Sequence, residues 1–451
     1  MKKKKIIAIA GFIFILLIGI IIFYNKTNKP VYKSDNDKFD TSGMFTYMLE
    51  TSAGSGEYKV ATDSKWPSGY EYNATLSKCE NGSTLVWNGN NSVTLKANVS
   101  DKCYLYFDIV PPDVTVNTNN TGNTYNASTP ASLSCSGATS SYNQKYQRIE
   151  ISQINNKYTT CNLTYQAPSS KTYLNNKIIG LSGQTQGTGQ VVNENGYRYE
   201  GKNPNNYIWF NNELWRIIGV FDEDSHGVSG ENLVKIIREE SIGGLVWHKS
   251  HTNDWSTSNL KSLLNGAYYD WKSNKSSVST YCYGNSTRVP GNCDYSEIGI
   301  NDIYRSMIQN VTWYLGGSSS ESATAEAFYG YERGTTVYNR RPTETTEYIG
   351  LMYPSDYGYS VLASSCARTT NLDSYSSSSC AGQSWLYKTG EWTITPDSSR
   401  SYRVFSLLNL GSLGGSIAEY GSSIRPVLYL SSSVYKITGD GTISNPYIIG
   451  M

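Results

Sequence analysis

Alternation of apolar and polar positions dominates most of this chain and predicts strands rather than long helices. Ser92-Val93-Thr94-Leu95-Lys96-Ala97 and Cys103-Tyr104-Leu105-Tyr106-Phe107 alternate, and turn clusters at Asn81-Gly82 and Asn88-Gly89-Asn90 separate the segments. Val114-Thr115-Val116, Arg148-Ile149-Glu150-Ile151 and Cys161-Asn162-Leu163-Thr164-Tyr165 continue in the same style. Further on, Tyr207 to Phe210 and Leu214 to Val220 flank Asn211-Asn212, a hairpin signal because Asn tolerates the left-handed backbone of a tight turn. Leu233 to Arg238 reads as the next strand, after an acidic turn from Asp222 to Gly230 that includes His226.

Helical spacing is confined to two places. Thr257 to Gly266 carries apolar residues at helical intervals, with Thr257 or Ser258 able to cap its start and Asn265-Gly266 able to end it. Asn301 to Leu315 is the second predicted helix. Strand-like segments return at Tyr348 to Tyr353, Ser384 to Tyr387, Ile424 to Leu430, Tyr435 to Thr438 and Tyr447 to Ile449.

One apolar run breaks this pattern. Ile6 to Tyr24 is uncharged and follows Lys2 to Lys5. At about 1.5 Å per residue it is long enough to cross a bilayer core of about 30 Å, with the lysines on the cytoplasmic side. A cleavable signal peptide would end in a small-x-small site, and Phe23-Tyr24-Asn25-Lys26 does not supply one. The expectation is a single-pass cell-membrane protein with residues 6–24 as anchor and the rest outside, in a Gram-positive-type bacterium.

The expected order is tail and anchor at 1–24, linker at 25–42, small β modules at 43–108 and 109–165, a linker at 166–190, and an α+β domain at 191–451. Modules of this size sit near the limit at which a hydrophobic core alone suffices. Eight cysteines fall within these boundaries and none forms a C-x-x-C pair with a nearby His, which argues against zinc. Their gaps predict sequential disulfides within modules: Cys79–Cys103, Cys135–Cys161, Cys282–Cys293 and Cys366–Cys380.

A formal net charge of +1, with 17% charged residues, gives no global electrostatic case for nucleic acid. The 38 tyrosines suit pleated strands and contact surfaces.

Several motifs in order carry a resemblance: Leu214-Trp215-Arg216-Ile217-Ile218, Asp254-Trp255 with its Ser-x-Leu helix, Tyr348-Ile349-Gly350-Leu351-Met352, Cys366-Ala367-Arg368-Thr369-Thr370, Ser384-Trp385-Leu386 and Ile424 to Leu430. Together, over about 191–431, the chain resembles an uncharacterised bacterial surface domain with a C-type-lectin-like fold. That fold is shared by formylglycine-generating enzymes and by hypervariable receptor-binding proteins, and the two small modules resemble repeats that accompany such domains. The family's Trp-Leu-Arg-Ser-Pro segment is Trp385-Leu386-Tyr387-Lys388-Thr389 here, so its surface chemistry does not carry over. The closely spaced copper-binding cysteines of the enzymes are also missing after Cys380.

Candidate catalytic groups are sparse. His248-Lys249-Ser250-His251 reads as a surface loop, and His226 as part of a solvated turn lacking a calcium loop's bidentate Glu. Glu239-Glu240 and Glu344 with Glu347 would suit glycosidase chemistry if they converged in a cleft. No cofactor or metal is expected. Binding is better supported between Trp385 and Tyr420, where Tyr387, Trp392, Arg400, Tyr402, Arg403, Asn409 and Tyr420 stand among short polar residues. Trp, Tyr and Arg dominate contact energies, and aromatic rings stack on sugar faces. Trp385 itself and Arg425 read as core. The sequence therefore predicts a membrane-anchored adhesion protein for an extracellular glycan or protein, with a glycan-acting hydrolase or a structural envelope protein as alternatives.

Overall fold

The computed structural model describes residues 44–451 except 64, 97–100, 111–112, 120–129, 144, 147, 153–157, 167–169 and 288. Packing divides the chain into two compact units. One runs through Thr115 and adds Cys135–Thr139 and Ile151–Cys161; the other takes Val116–Ser134, Ser140–Glu150 and Asn162–Met451. The stretch expected as a separate module at 109–165 thus contributes to both.

In the first unit, Phe45–Glu50 pairs in parallel with Cys103–Ile109, and Tyr58–Val60 and Tyr70–Cys79 flank them in a four-stranded sheet. Cys79 lies directly opposite Cys103 in the register, so their disulfide closes across neighbouring strands with Cα atoms 4.0 Å apart. Asn90 and Asn91 both have positive φ, the backbone of a type I′ turn, in the hairpin joining Thr84–Gly89 to Ser92–Lys96. The core is small: Met44, Met48, Leu105 and Phe107 are buried, and Trp66 packs edge-on against Phe107 at 4.9 Å.

The second unit holds the main core. Its twelve-stranded sheet centres on Glu213–Phe221, which pairs with Tyr207–Phe210, Tyr197–Gly201 and Leu233–Arg238. Leu233–Arg238 passes on to Val427–Leu430. All six side chains of Leu233–Arg238 are buried, so both faces of that strand are covered. A five-stranded sheet runs Gly244–Val246, Gly421–Ser423, Glu391–Pro396, Arg403–Leu407, Leu413–Ile417. Asn211 and Asn212 take φ of 56° and 62°, the backbone of a type I′ turn, in the hairpin predicted there. All four disulfides pair as predicted.

Other expectations are corrected. The chain is mostly β, not α+β behind a membrane helix: among the described residues the longest helix is Ala325–Glu332, and none is long and apolar enough to cross a membrane. The anchor predicted at 6–24 lies outside the described residues, and a single-pass membrane location is not supported. The disulfides point instead to an oxidising, extracytoplasmic setting. The segment 166–190 is no mere linker, because Leu174 and Ile178 are fully buried in the core of the second unit.

The second predicted helix shrinks to Asp302–Arg305, after which Ile308–Gln309 and Val311–Tyr314 are strands. Val311 and Trp313 face inward while Thr312 and Tyr314 are half-buried, a two-residue period that fits their branched and aromatic side chains. At the first helix, Ser258 caps Asn259–Leu263, accepting from the N–H groups of Leu260 and Lys261. Asn265-Gly266 does not end it, since a π-turn continues over Leu264–Tyr268. His226 is fully buried rather than solvated, its Nε2 3.1 Å from the Phe221 carbonyl. His248 is also buried, beside Thr257 at 3.3 Å, while His251 is exposed.

Candidate functional site

The predicted surface at 385–422 separates into core, frame and exposed tips. Trp392 is core, not a contact residue: it is 1% exposed and its indole N–H donates to the Leu245 carbonyl at 3.0 Å. Trp385 is buried as expected and donates to the Tyr199 carbonyl. Arg403 belongs to the frame, reaching Glu321 at 2.5 Å and the Gly415 carbonyl at 2.6 Å. A Cβ at Gly415 would sit 2.5 Å from the guanidinium, so a larger residue there would displace the Arg403 side chain. Arg400 is exposed but pairs with Asp397 at 3.1 Å, the carboxylate that also caps the Ser399 and Arg400 backbone.

Tyr402 stacks on His251 at 4.2 Å, and His251 lies 2.6 Å from Glu419. Tyr387 is half-buried near Gly411. Asn409 is exposed in a tip whose Leu410, with φ +73°, is 78% exposed. Tyr420 is 59% exposed. The structure therefore leaves Arg400, Asn409 and Tyr420 exposed and Tyr402 half-buried against His251.

A second surface, which the sequence reading passed over, is a cleft of about 390 Å³ in the second unit. That volume falls within the roughly 300–1,000 Å³ usual for ligand sites. Its construction begins at the Asn211-Asn212 turn. The Asn211 carboxamide donates to the Gly299 carbonyl at 3.0 Å and accepts from the Asn301 backbone at 2.8 Å and side chain at 2.9 Å. This fixes the 299–301 segment against the hairpin and places Asn212 and Asn301 at the rim.

The floor is aromatic. Tyr295 and Tyr304 are 1% and 2% exposed, and the half-buried Trp271 packs edge-on to Tyr295 at 6.4 Å. Burial pushes both phenols up, Tyr304 to about 12. The Tyr295 hydroxyl is buried and has no hydrogen-bond partner among the described residues. The Cys282–Cys293 disulfide holds the chain just before Tyr295.

The wall is charged. Lys272 meets Asp302 at 2.7 Å, and Arg305 bridges Asp302 at 2.5 Å and Asp270 at 3.6 Å. The Lys272 hydrogen bond, followed by Arg305, holds the Asp302 carboxyl below its ordinary value. A carboxyl so held stays ionised and serves poorly as a proton donor.

Carboxyls with raised values lie elsewhere. Burial pushes Glu200 up to about 8 and Glu332 up to about 7. Both are sealed in the protein, Glu200 against Arg368 and Glu332 against Ser355 and Arg333. The paired carboxylates of the sequence are taken up by lysines: Glu239 and Glu240 share Lys388, at 3.2 and 3.9 Å, and Glu347 pairs with Lys261 at 3.0 Å. Among the described residues no three His, Cys, Asp or Glu side chains group to hold a metal ion.

No protein-family model, curated protein or solved structure matches the chain.

Proposed function

We propose that the protein is an extracytoplasmic recognition protein that binds a glycan in the cleft around Trp271. The observation that supports this reading most is the make-up of that cleft. The half-buried Trp271 indole, backed by the buried Tyr295 and Tyr304, offers stacking area, and Asn212, Asn301, Ser296 and the Lys272–Asp302 pair offer donors and acceptors at the rim. Sugars present apolar ring faces and hydroxyl edges, so a site for them combines flat aromatic surface with fixed polar groups. The order of motifs shared with lectin-like surface domains points the same way.

The hydrolase alternative fits less well. Asp270 and Asp302 share one guanidinium, and glycoside hydrolysis needs one carboxyl held protonated. Trp271→Ala in the full chain, compared with the parent on a glycan array, should lose about tenfold or more in apparent affinity. Circular dichroism serves as the folding control. A folded variant that binds unchanged would remove the cleft from the reading.

A second reading, protein adhesion through the 402–420 surface, is favoured by one observation: the exposed, left-handed Leu410 beside an anchored Gly411. Tyr357 donates to the Gly411 carbonyl at 2.8 Å, and a Cβ at 411 would lie 2.3 Å from that of Ala381. Strained positions held this firmly collect at contact sites. Loss of cell binding in Leu410→Ser with Tyr420→Ala, with glycan binding intact, would favour it.

A further inference from the structure

Lys235 stands in a strand buried on both faces, and its side chain ends against the Asp356 carboxylate, Nζ 2.5 Å from Oδ2. Each side chain is 1% exposed. An ammonium carries three N–H donors. Asp356 is the one hydrogen-bond acceptor that Lys235 Nζ meets among the described residues. The remaining surroundings are aromatic: the Tyr353 ring at 4.4 Å, Tyr429 at 5.5 Å and Trp313 at 5.6 Å. Those rings attract a cation but accept no strong hydrogen bond. The group is thus under-satisfied as an ammonium, whereas an amide nitrogen would have a single N–H to place.

The carboxylate is held from its other side. Arg198 Nη1 donates to Oδ1 at 3.0 Å, and the Tyr353 backbone N–H donates to Oδ2 at 3.0 Å. Arg198 is itself fixed by the carbonyls of Glu194 and Asn195, at 2.9 and 3.2 Å. Its guanidinium therefore faces the oxygen on which negative charge would collect if the carboxyl carbon were attacked, the arrangement that stabilises acyl-transfer intermediates.

We propose that Lys235 and Asp356 become joined by an intramolecular amide, formed once per molecule within the folded second unit. A proton passes from Nζ to Oδ2 across their contact, freeing the amine lone pair. Nζ then bonds to Cγ while Arg198 holds Oδ1. A second proton moves from Nζ to Oδ2, the Cγ–Oδ2 bond breaks, and water leaves. The ammonium gives up two protons, the amide nitrogen keeps one, and the two opposite charges cancel, so no oxidant or co-reactant is needed. Burial assists the first transfer by pushing the Lys235 ammonium down to about 8. The two cations oppose it by holding Asp356 below its ordinary value, which makes the step slow. A bond made once has no turnover rate to sustain. Exclusion of water afterwards protects the amide from hydrolysis.

Mass spectrometry of the full chain, denatured and reduced, tests this directly. The expected result is a trypsin-resistant branched peptide joining the segments around Lys235 and Asp356, lighter than the two strands together by one water. Lys235→Arg, which keeps the cation, should give linear peptides only. Asp356→Asn should give the same branched peptide with loss of ammonia in place of water. Linear wild-type peptides with Lys235 and Asp356 unmodified would overturn the proposal. Because that measurement uses the wild-type chain, it decides the matter even if a variant fails to fold.

Discussion

The two units solve the same problem with different materials. Both are built from short strands and tight turns, and both carry disulfides. The first buries a handful of apolar side chains around Met48, Leu105 and Phe107 and leaves Val60, Val86 and Trp87 exposed. Its sheet is held by a covalent bond placed at the register point Cys79↔Cys103. The second buries whole strands and then inserts charge into the interior, with Arg425 on Glu391, Arg198 and Lys235 on Asp356, and Arg333 on Glu332. A small core relies on a constraint acting through the unfolded chain, whereas a large one can accommodate ions once each has a partner.

If this contrast is right, the most damaging single change lies in the larger unit. Glu391→Ala leaves Arg425 buried without its bidentate partner at 2.8 and 2.7 Å. The loss should be about 3–5 kcal/mol, read from urea unfolding of the second unit. A loss near zero would mean that the interior pairs are incidental to stability.

Next comes the staple. Replacing Cys79 and Cys103 by Ser removes a closure spanning 24 residues and should cost about 3 kcal/mol, enough to unfold a unit with so small a core. Removing Cys366 and Cys380, a closure of 14 residues, should leave the second unit folded with a lowered melting point. Protease cutting resolved by unit separates these outcomes, and equal sensitivity in both units would erase the contrast.

The smallest effect is a difference in response to pH. Glu200 and Glu332 have an ordinary value of 4.5 and are raised by burial to about 8 and about 7. Their contribution is fully present below about pH 4.5 and is lost as pH rises through 7 to 8, because the folded state then holds protons that the unfolded chain has released. In the first unit the sign is opposite. Although burial opposes it, the N–H groups of Asn81 and Ser83, at 2.8 and 2.9 Å, hold Asp101 below 3.8. That contribution is present above pH 3.8 and lost on acidification. Between pH 5 and 8 the second unit should therefore lose melting temperature while the first stays level. Glu200→Gln should flatten part of that slope in calorimetry.

Local features were legible in the sequence and the site was not. The Asn211-Asn212 turn, the strand at Leu233–Arg238 and the four cysteine pairs follow from backbone preference, period and spacing, all of which act over short stretches. The stretch 301–315 misled because Ile303, Met307, Ile308 and Val311 also fit a helical interval, while tertiary pairing of Ile308–Gln309 with Val427–Leu430 decided for strand. Trp392 looked like a contact residue since composition does not tell an exposed indole from a buried one. The cleft was invisible for a further reason. Its rim is assembled by the Asn211 side chain reaching Asn301, 90 positions away, and no pattern within either segment announces that bond.

The central sheet also sets the order of events during synthesis. Tyr207–Phe210 pairs in parallel with Tyr447–Gly450, and Thr172–Tyr173 pairs with Tyr435–Thr438. These strands cannot be completed until residues near 450 have left the ribosome, so an early-made edge waits for a late-made neighbour. Long-range pairing of this kind slows folding and leaves unpaired strands open to association meanwhile. The first unit has the strands of its four-stranded sheet in hand by Ile109 and its last contributing segment by Cys161, so it can fold while the second is still being made. A nascent chain halted shortly before Tyr435 would then carry one finished unit and one that depends on chaperones until the last strands arrive.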